Sequence, residues 1–209
     1  MIVDVDTGID DALALLYACA SPEVELLAVT CVSGNVHVDH AARNSMAMLD
    51  LGGRSDVEVA RGEETPLRHS LTFYEYVHGP SGLGNAVVPE LARPLSERHA
   101  ADLSSPLTAF LRDAVPYYFA YYAKARGFEG AAMHDPLALA AAVDPTLLRT
   151  TPVAVQVEVD GTHTTGQTVT DWRGLWEREP NLDVAVGVEG EAFLDRFVER
   201  LSGLVAASA

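Results

Sequence analysis

In 209 residues the chain sets 30 acidic side chains against 14 basic ones, a formal net charge of −16. That balance argues against a nucleic-acid backbone as ligand, which needs basic patches: Lys124 is the only lysine, and the arginines are scattered. The length suits one domain, residues 1–209, with a substantial core; no apolar run approaches membrane-spanning length, no secretory leader is legible, and the expectation is a cytoplasmic protein without a membrane partner.

In chain order, the apolar runs predict strands over residues 1–5, 24–32, 57–60, 153–159, 167–170 and 184–188. Helical patterns cover 10–20, 38–51, 106–125, 136–142 and 191–204. Strand-like and helix-like runs alternate, so the expected class is α/β, an open, mostly parallel sheet flanked by helices. Residues 62–105 are polar and rich in Gly and Pro, which reads as loop with at most short helices. A loop of that length in a compact domain is either functional or the scar of a lost segment. Cys19 and Cys31 lie in apolar stretches and read as buried thiols.

Chemistry concentrates at two places. Asp4, Asp6, Asp10 and Asp11 fall within eight residues, between an apolar strand and a helix-like run. Crowded carboxylates repel, so folding them together costs free energy unless a cation sits among them. All-oxygen ligands point to Ca²⁺ or Mg²⁺ rather than zinc. The bland alternative is an acidic loop in which Asp10 caps the helix. Gly8 suits a sharp turn, where glycine tolerates a positive φ. The second place is Met133-His134-Asp135-Pro136, where Asp135 and Pro136 also suit the cap and first position of a helix.

Asp4-x-Asp6-x-Gly8-x-Asp10-Asp11 resembles the amino-terminal signature of the inosine–uridine-preferring nucleoside hydrolases, with Thr7 where that family usually has proline. Three further stretches resemble family motifs in the same order: Gly34-Asn35, the loop from His78 to Asn85, and His134-Asp135-Pro136, with Gly166-Gln167-Thr168-Val169 in the tail strand. The resemblance implies a nucleoside-hydrolase-like, Rossmann-like core that is incomplete in the middle. Near residues 102–105 the chain lacks the family's long central segment, which brings a metal-ligating carbonyl and the Asn and Glu that hold the ribose.

What the resemblance implies for chemistry is hydrolysis of the N-glycosidic bond of a small-molecule ribonucleoside, with Ca²⁺ as cofactor. Asp6 maps onto the base that accepts the water proton and onto a metal ligand, Asp11 and Asp135 onto metal ligands, and Asp10 onto a partner of the ribose hydroxyls. Asn35 maps onto a polar contact near metal and sugar, and His134 onto a general acid facing the base. His78 either covers the substrate or is merely solvated. His37 and His40 read as surface residues. Tyr117, Phe119 and Tyr121, with Tyr118 and Tyr122, either stack on a base or pack as helix core. The family's habit implies a homo-oligomer, a dimer or tetramer. Two alternatives stand beside this reading. One is a catalytically impaired remnant that keeps the fold and the metal. The other is a haloacid-dehalogenase-type phosphohydrolase, suggested by Asp4-Val5-Asp6-Thr7 but lacking the lysine motif and the later acidic pair.

Overall fold

Three parallel strands hold one end of the molecule. The computed structural model describes residues 1–66, 70–87, 106–127 and 130–207. β1 (Ile2–Val5), β2 (Ala28–Cys31) and β3 (Glu58–Arg61) form one sheet in that order. Ile2 faces Ala28 in the register, and Ala28 faces Glu58. Parallel neighbours need a crossover, which α1 (Ile9–Cys19) and α2 (Val38–Leu51) supply. All three strands therefore end on the same side, and the turns after β1 and β2 lie next to each other. In open α/β sheets that is where ligands bind.

Every residue of α1 from Ile9 to Ala18 is buried, because the helix packs against α2, α4 (Pro106–Arg126), α5 (His134–Val143) and α6 (Gly190–Ala207). Its apolar residues run all round the helix, as expected of one with no solvent face. Leu13, Leu15 and Leu16 are each worth about 1.5–3 kcal/mol of burial. Tyr17 stacks on Phe197 of α6 at 5.9 Å. The Arg200 guanidinium covers the same ring at 5.5 Å and is itself held by both carboxylate oxygens of Glu23.

The carboxyl-terminal part adds two antiparallel ladders. β4 (Leu148–Val153) pairs with β7 (Leu182–Val188), and β5 (Val155–Val157) pairs with β6 (Thr168–Thr170). The parallel sheet with flanking helices matches the expected class, and most element bounds move by one to four residues. One strand was missed. β4 reads Leu-Arg-Thr-Thr-Pro-Val, polar and broken by Pro152, because it is exposed along most of its length and owes its form to β7. Within 62–105, only the single-turn helix α3 (Glu75–His78) forms among the described residues, and 88–105 lie outside them. No described helix is long and apolar enough to cross a membrane.

Candidate active site

At the carboxyl ends of β1 and β2 the backbone gathers Asp6, Asp10, Asp11, Asn35 and His78. Asp6 directly follows β1, and Asn35 lies in the turn after β2. The Asn35 backbone N–H donates to Asp6 Oδ2 at 2.5 Å, and its side-chain amide donates to Asp6 Oδ1 and Asp11 Oδ2, each at 3.2 Å. Asp4 stays apart, accepting from the Thr30 hydroxyl on the neighbouring strand.

The helix start differs from the bland alternative in which Asp10 caps it. Gly8 is the N-cap of α1, and Asp11, three residues on, accepts from the Gly8 N–H at 2.9 Å. Gly8 has φ −87°, so a left-handed turn is not its purpose. Space is. A Cβ there would lie 2.6 Å from His78 Nδ1 and 2.9 Å from Asn35 Nδ2. At α5 the cap is likewise displaced: Met133 is the N-cap, which puts His134 first, Asp135 second and Pro136 third in the helix.

His78, at the end of α3, is buried rather than solvated. Its Nδ1 accepts from the Ile9 N–H at 3.1 Å, and its ring stacks on Tyr118 at 5.7 Å. Burial lowers its pKa, against the pull of Asp10 and Asp6. A neutral ring accepting at Nδ1 carries its proton on Nε2. The 3.7 Å approach of Nδ1 to Asp10 Oδ1 is therefore a contact between two acceptors, not an ion pair.

Helix α4 contributes what the sequence reading left undecided. The Tyr118 hydroxyl donates to Asp10 Oδ2 at 3.0 Å, and the Tyr122 hydroxyl lies 3.0 Å from His134 Nε2. The two rings meet edge to face at 5.1 Å. Burial and the Asp10 charge hold the Tyr118 phenol far above its ordinary pKa, so it stays a donor. Two tyrosines in ring contact, one bonded to Asp10 and the other to His134, thus lie between the two residues. The spacing of four residues, which puts 118 and 122 on one helix face, was the available signal.

The carboxylates of Asp10, Asp11 and Asp135 bring oxygens within 4.8 Å of one another. Burial raises the Asp11 pKa well above the carboxylate range, reinforced by the charges of Asp6, Asp135 and Asp10. Burial, then Asp10, raises Asp135 in the same way. Asp6 is raised by burial despite its bond from Asn35. A cluster of oxygen donors at this depth, with the excess charge all negative, fits a hard divalent cation. Asp6 was expected in the ligand set and Asp10 on the ribose. The described geometry turns Asp6 toward Asn35 and brings Asp10 into the group of three.

The family model described as inosine-uridine preferring nucleoside hydrolase matches residues 1–105 and 100–195. The chain belongs to that family. RihA of Salmonella paratyphi B, a pyrimidine-specific ribonucleoside hydrolase, is 26% identical over 303 positions, covering 96% of this chain and 97% of RihA. An uncharacterised protein of Schizosaccharomyces pombe is 48% identical over 102 residues, covering 49% of this chain but only 33% of that protein. Among solved structures, a purine-preferring ribonucleoside hydrolase from Gardnerella vaginalis superposes with TM-score 0.82 at 26% identity, covering 99% of each chain. A plant nucleoside hydrolase at 24% identity and TM-score 0.80 shares the fold. With 209 residues against an alignment of 303 positions, the chain is a shortened member. The two matched segments meet at residues 100–105, so the shortening is internal. The matched residues take in both His78 and His134-Asp135.

Proposed function

We propose that the protein is a Ca²⁺-dependent nucleoside hydrolase that cleaves ribonucleosides to ribose and free base. The observation that carries this reading is the run of contacts Asp10–Tyr118–Tyr122–His134, which joins a buried carboxylate group to a histidine. Breaking the glycosidic bond needs a deprotonated water on one side of the sugar and a proton for the departing base on the other. Asp11 and Asp135, with Asp6 or Asp10, would hold the cation. When bound, Ca²⁺ supplies positive charge that acidifies a water and orients ribose hydroxyls. Asp6, steadied by Asn35, would accept the water proton, and Asp10 would accept from a ribose hydroxyl. His134, with Tyr122 at its Nε2, would donate toward the base. His78 closes the site wall with a buried, neutral ring. The cytoplasmic setting and the homo-oligomer belong to the same reading.

The shortened chain favours one second reading, a remnant that binds the cation without turnover, because positioning of the sugar carries much of the rate. One experiment separates the two. Ca²⁺ is titrated calorimetrically into chelator-treated protein, and ribose release from inosine and uridine is assayed on the same sample. Binding and release, both lost in Asp11→Ala, are the expected result. Binding without release marks the remnant, and neither would sink the site.

A further inference from the structure

Asn44, on the inner face of α2, lies outside every motif that carries the chemistry, yet it is 2% exposed. Its Nδ2 donates to the Thr7 carbonyl at 3.1 Å and to the Ser81 carbonyl at 2.7 Å. A side-chain amide nitrogen has two hydrogens, so both are used. Thr7 sits between Asp6 and Gly8, and Ser81 lies three residues after His78. One side chain therefore ties the turn that carries the aspartates to the loop that carries the histidine. Gly82 makes the approach possible: at φ +85°, a Cβ on it would lie 2.9 Å from Asn44 Nδ2 and 3.0 Å from the Thr7 carbonyl. The loop is also closed on itself, since the Gly84 N–H donates to the His78 carbonyl at 2.7 Å. The neighbouring Ser45 grips the same turn separately. Its hydroxyl donates to the Ala41 carbonyl at 2.9 Å, so at 2.6 Å it accepts from the Thr7 hydroxyl.

We propose that Asn44 is a positioning residue that fixes the His78 loop to the Asp6–Asp11 turn and so sets the spacing of the groups around the substrate; the role rests on the hydrolase reading above. Asn44 hydrogen-bonds the backbone behind the site. Its removal strands two carbonyls, one in each segment, and lets the two drift apart. Misplacing catalytic groups by about an ångström costs on the order of a hundredfold in rate.

The test compares wild type, Asn44→Ala, Asn44→Ser and Thr7→Val by steady-state kinetics, Ca²⁺ calorimetry and amide hydrogen exchange. The expected result for Asn44→Ala is faster exchange at both Gly8–Ile9 and Gly82–Leu83, with kcat down about a hundredfold. KM and Ca²⁺ affinity should move far less, because the carboxylates keep their helix starts. Asn44→Ser retains one donor and should lose less, and it carries the test if the alanine variant does not fold. Thr7→Val loosens the turn through Ser45 alone and should leave exchange at Gly82–Leu83 unchanged. Exchange that rises in only one of the two segments of an Asn44 variant, or a loss confined to KM, would overturn the proposal. If the wild type releases no ribose, the hydrolase reading fails, and the exchange comparison alone decides whether the bridge exists.

Discussion

Tyr118 and Gly8 show how single atoms shape this site. Tyr118→Phe keeps the ring against His78 and Tyr122 but removes the proton given to Asp10. A buried hydrogen bond to a charged group is worth about 1.5–3 kcal/mol, so the variant should unfold at lower denaturant by that amount. Tyr122→Phe should keep the fold, with unchanged melting, while ribose release falls about a hundredfold through the loss of the His134 partner. Equal loss of rate and melting temperature in Tyr122→Phe would count against a role for Tyr122 through His134. Gly8→Ala places a methyl within 2.6 Å of His78 Nδ1, and the imidazole signals of that residue should shift. The four aspartates were legible in the sequence because acidic clusters at a strand–helix turn are rare without a cause. Tyr118 was not, because a tyrosine in a dense aromatic helix looks the same whether its hydroxyl meets water or a carboxylate. Gly8 was legible as a required glycine, but for the wrong reason: close approach leaves no mark in one chain's sequence that separates it from a positive φ.

At the scale of elements, α1 and α5 begin at the same place. Each first turn favours negative charge, and together they bring Asp10, Asp11 and Asp135 to one spot. The folded pKa values of Asp11 and Asp135 are raised, that of Asp135 to about 7. The native state therefore binds protons more tightly than the unfolded chain. The stability this contributes is full below the ordinary carboxylate range and is lost as pH rises through the folded values. With chelator present, the melting temperature should fall between about pH 5 and about pH 8. Added Ca²⁺ should restore it at the upper end and do little at the lower, since a ligand of the native state stabilises in proportion to its occupancy. A melting temperature indifferent to pH in chelator would mean the carboxylates do not strain one another. The helices were readable from their periodicity and α1 from its unbroken apolar composition. β4 was not, because an exposed strand holding a proline gains its form from the partner strand β7.

The whole molecule carries apolar side chains that nothing described covers. Val157, Leu182, Val188 and Val198 are each between 48% and 60% exposed, all in the carboxyl-terminal part. This chain is about a third shorter than the relative it aligns with over 303 positions, and the missing portion is internal. Sedimentation should therefore show species larger than one chain, and Val198→Asp with Val188→Asp should shift them toward the monomer. A monodisperse monomer in the wild type would reject the oligomer. Where the shortening falls was legible from the motifs that are absent. What surface it leaves bare was not, since exposure depends on neighbours that the sequence does not name. The bond from Tyr118 to Asp10 spans 108 residues of chain. Contacts that distant close late, after nearer ones have formed, and during synthesis this one must wait until more than half of the polypeptide exists. Until then the amino-terminal carboxylates stand together without their phenol, and a dissolved cation can reach them before it does.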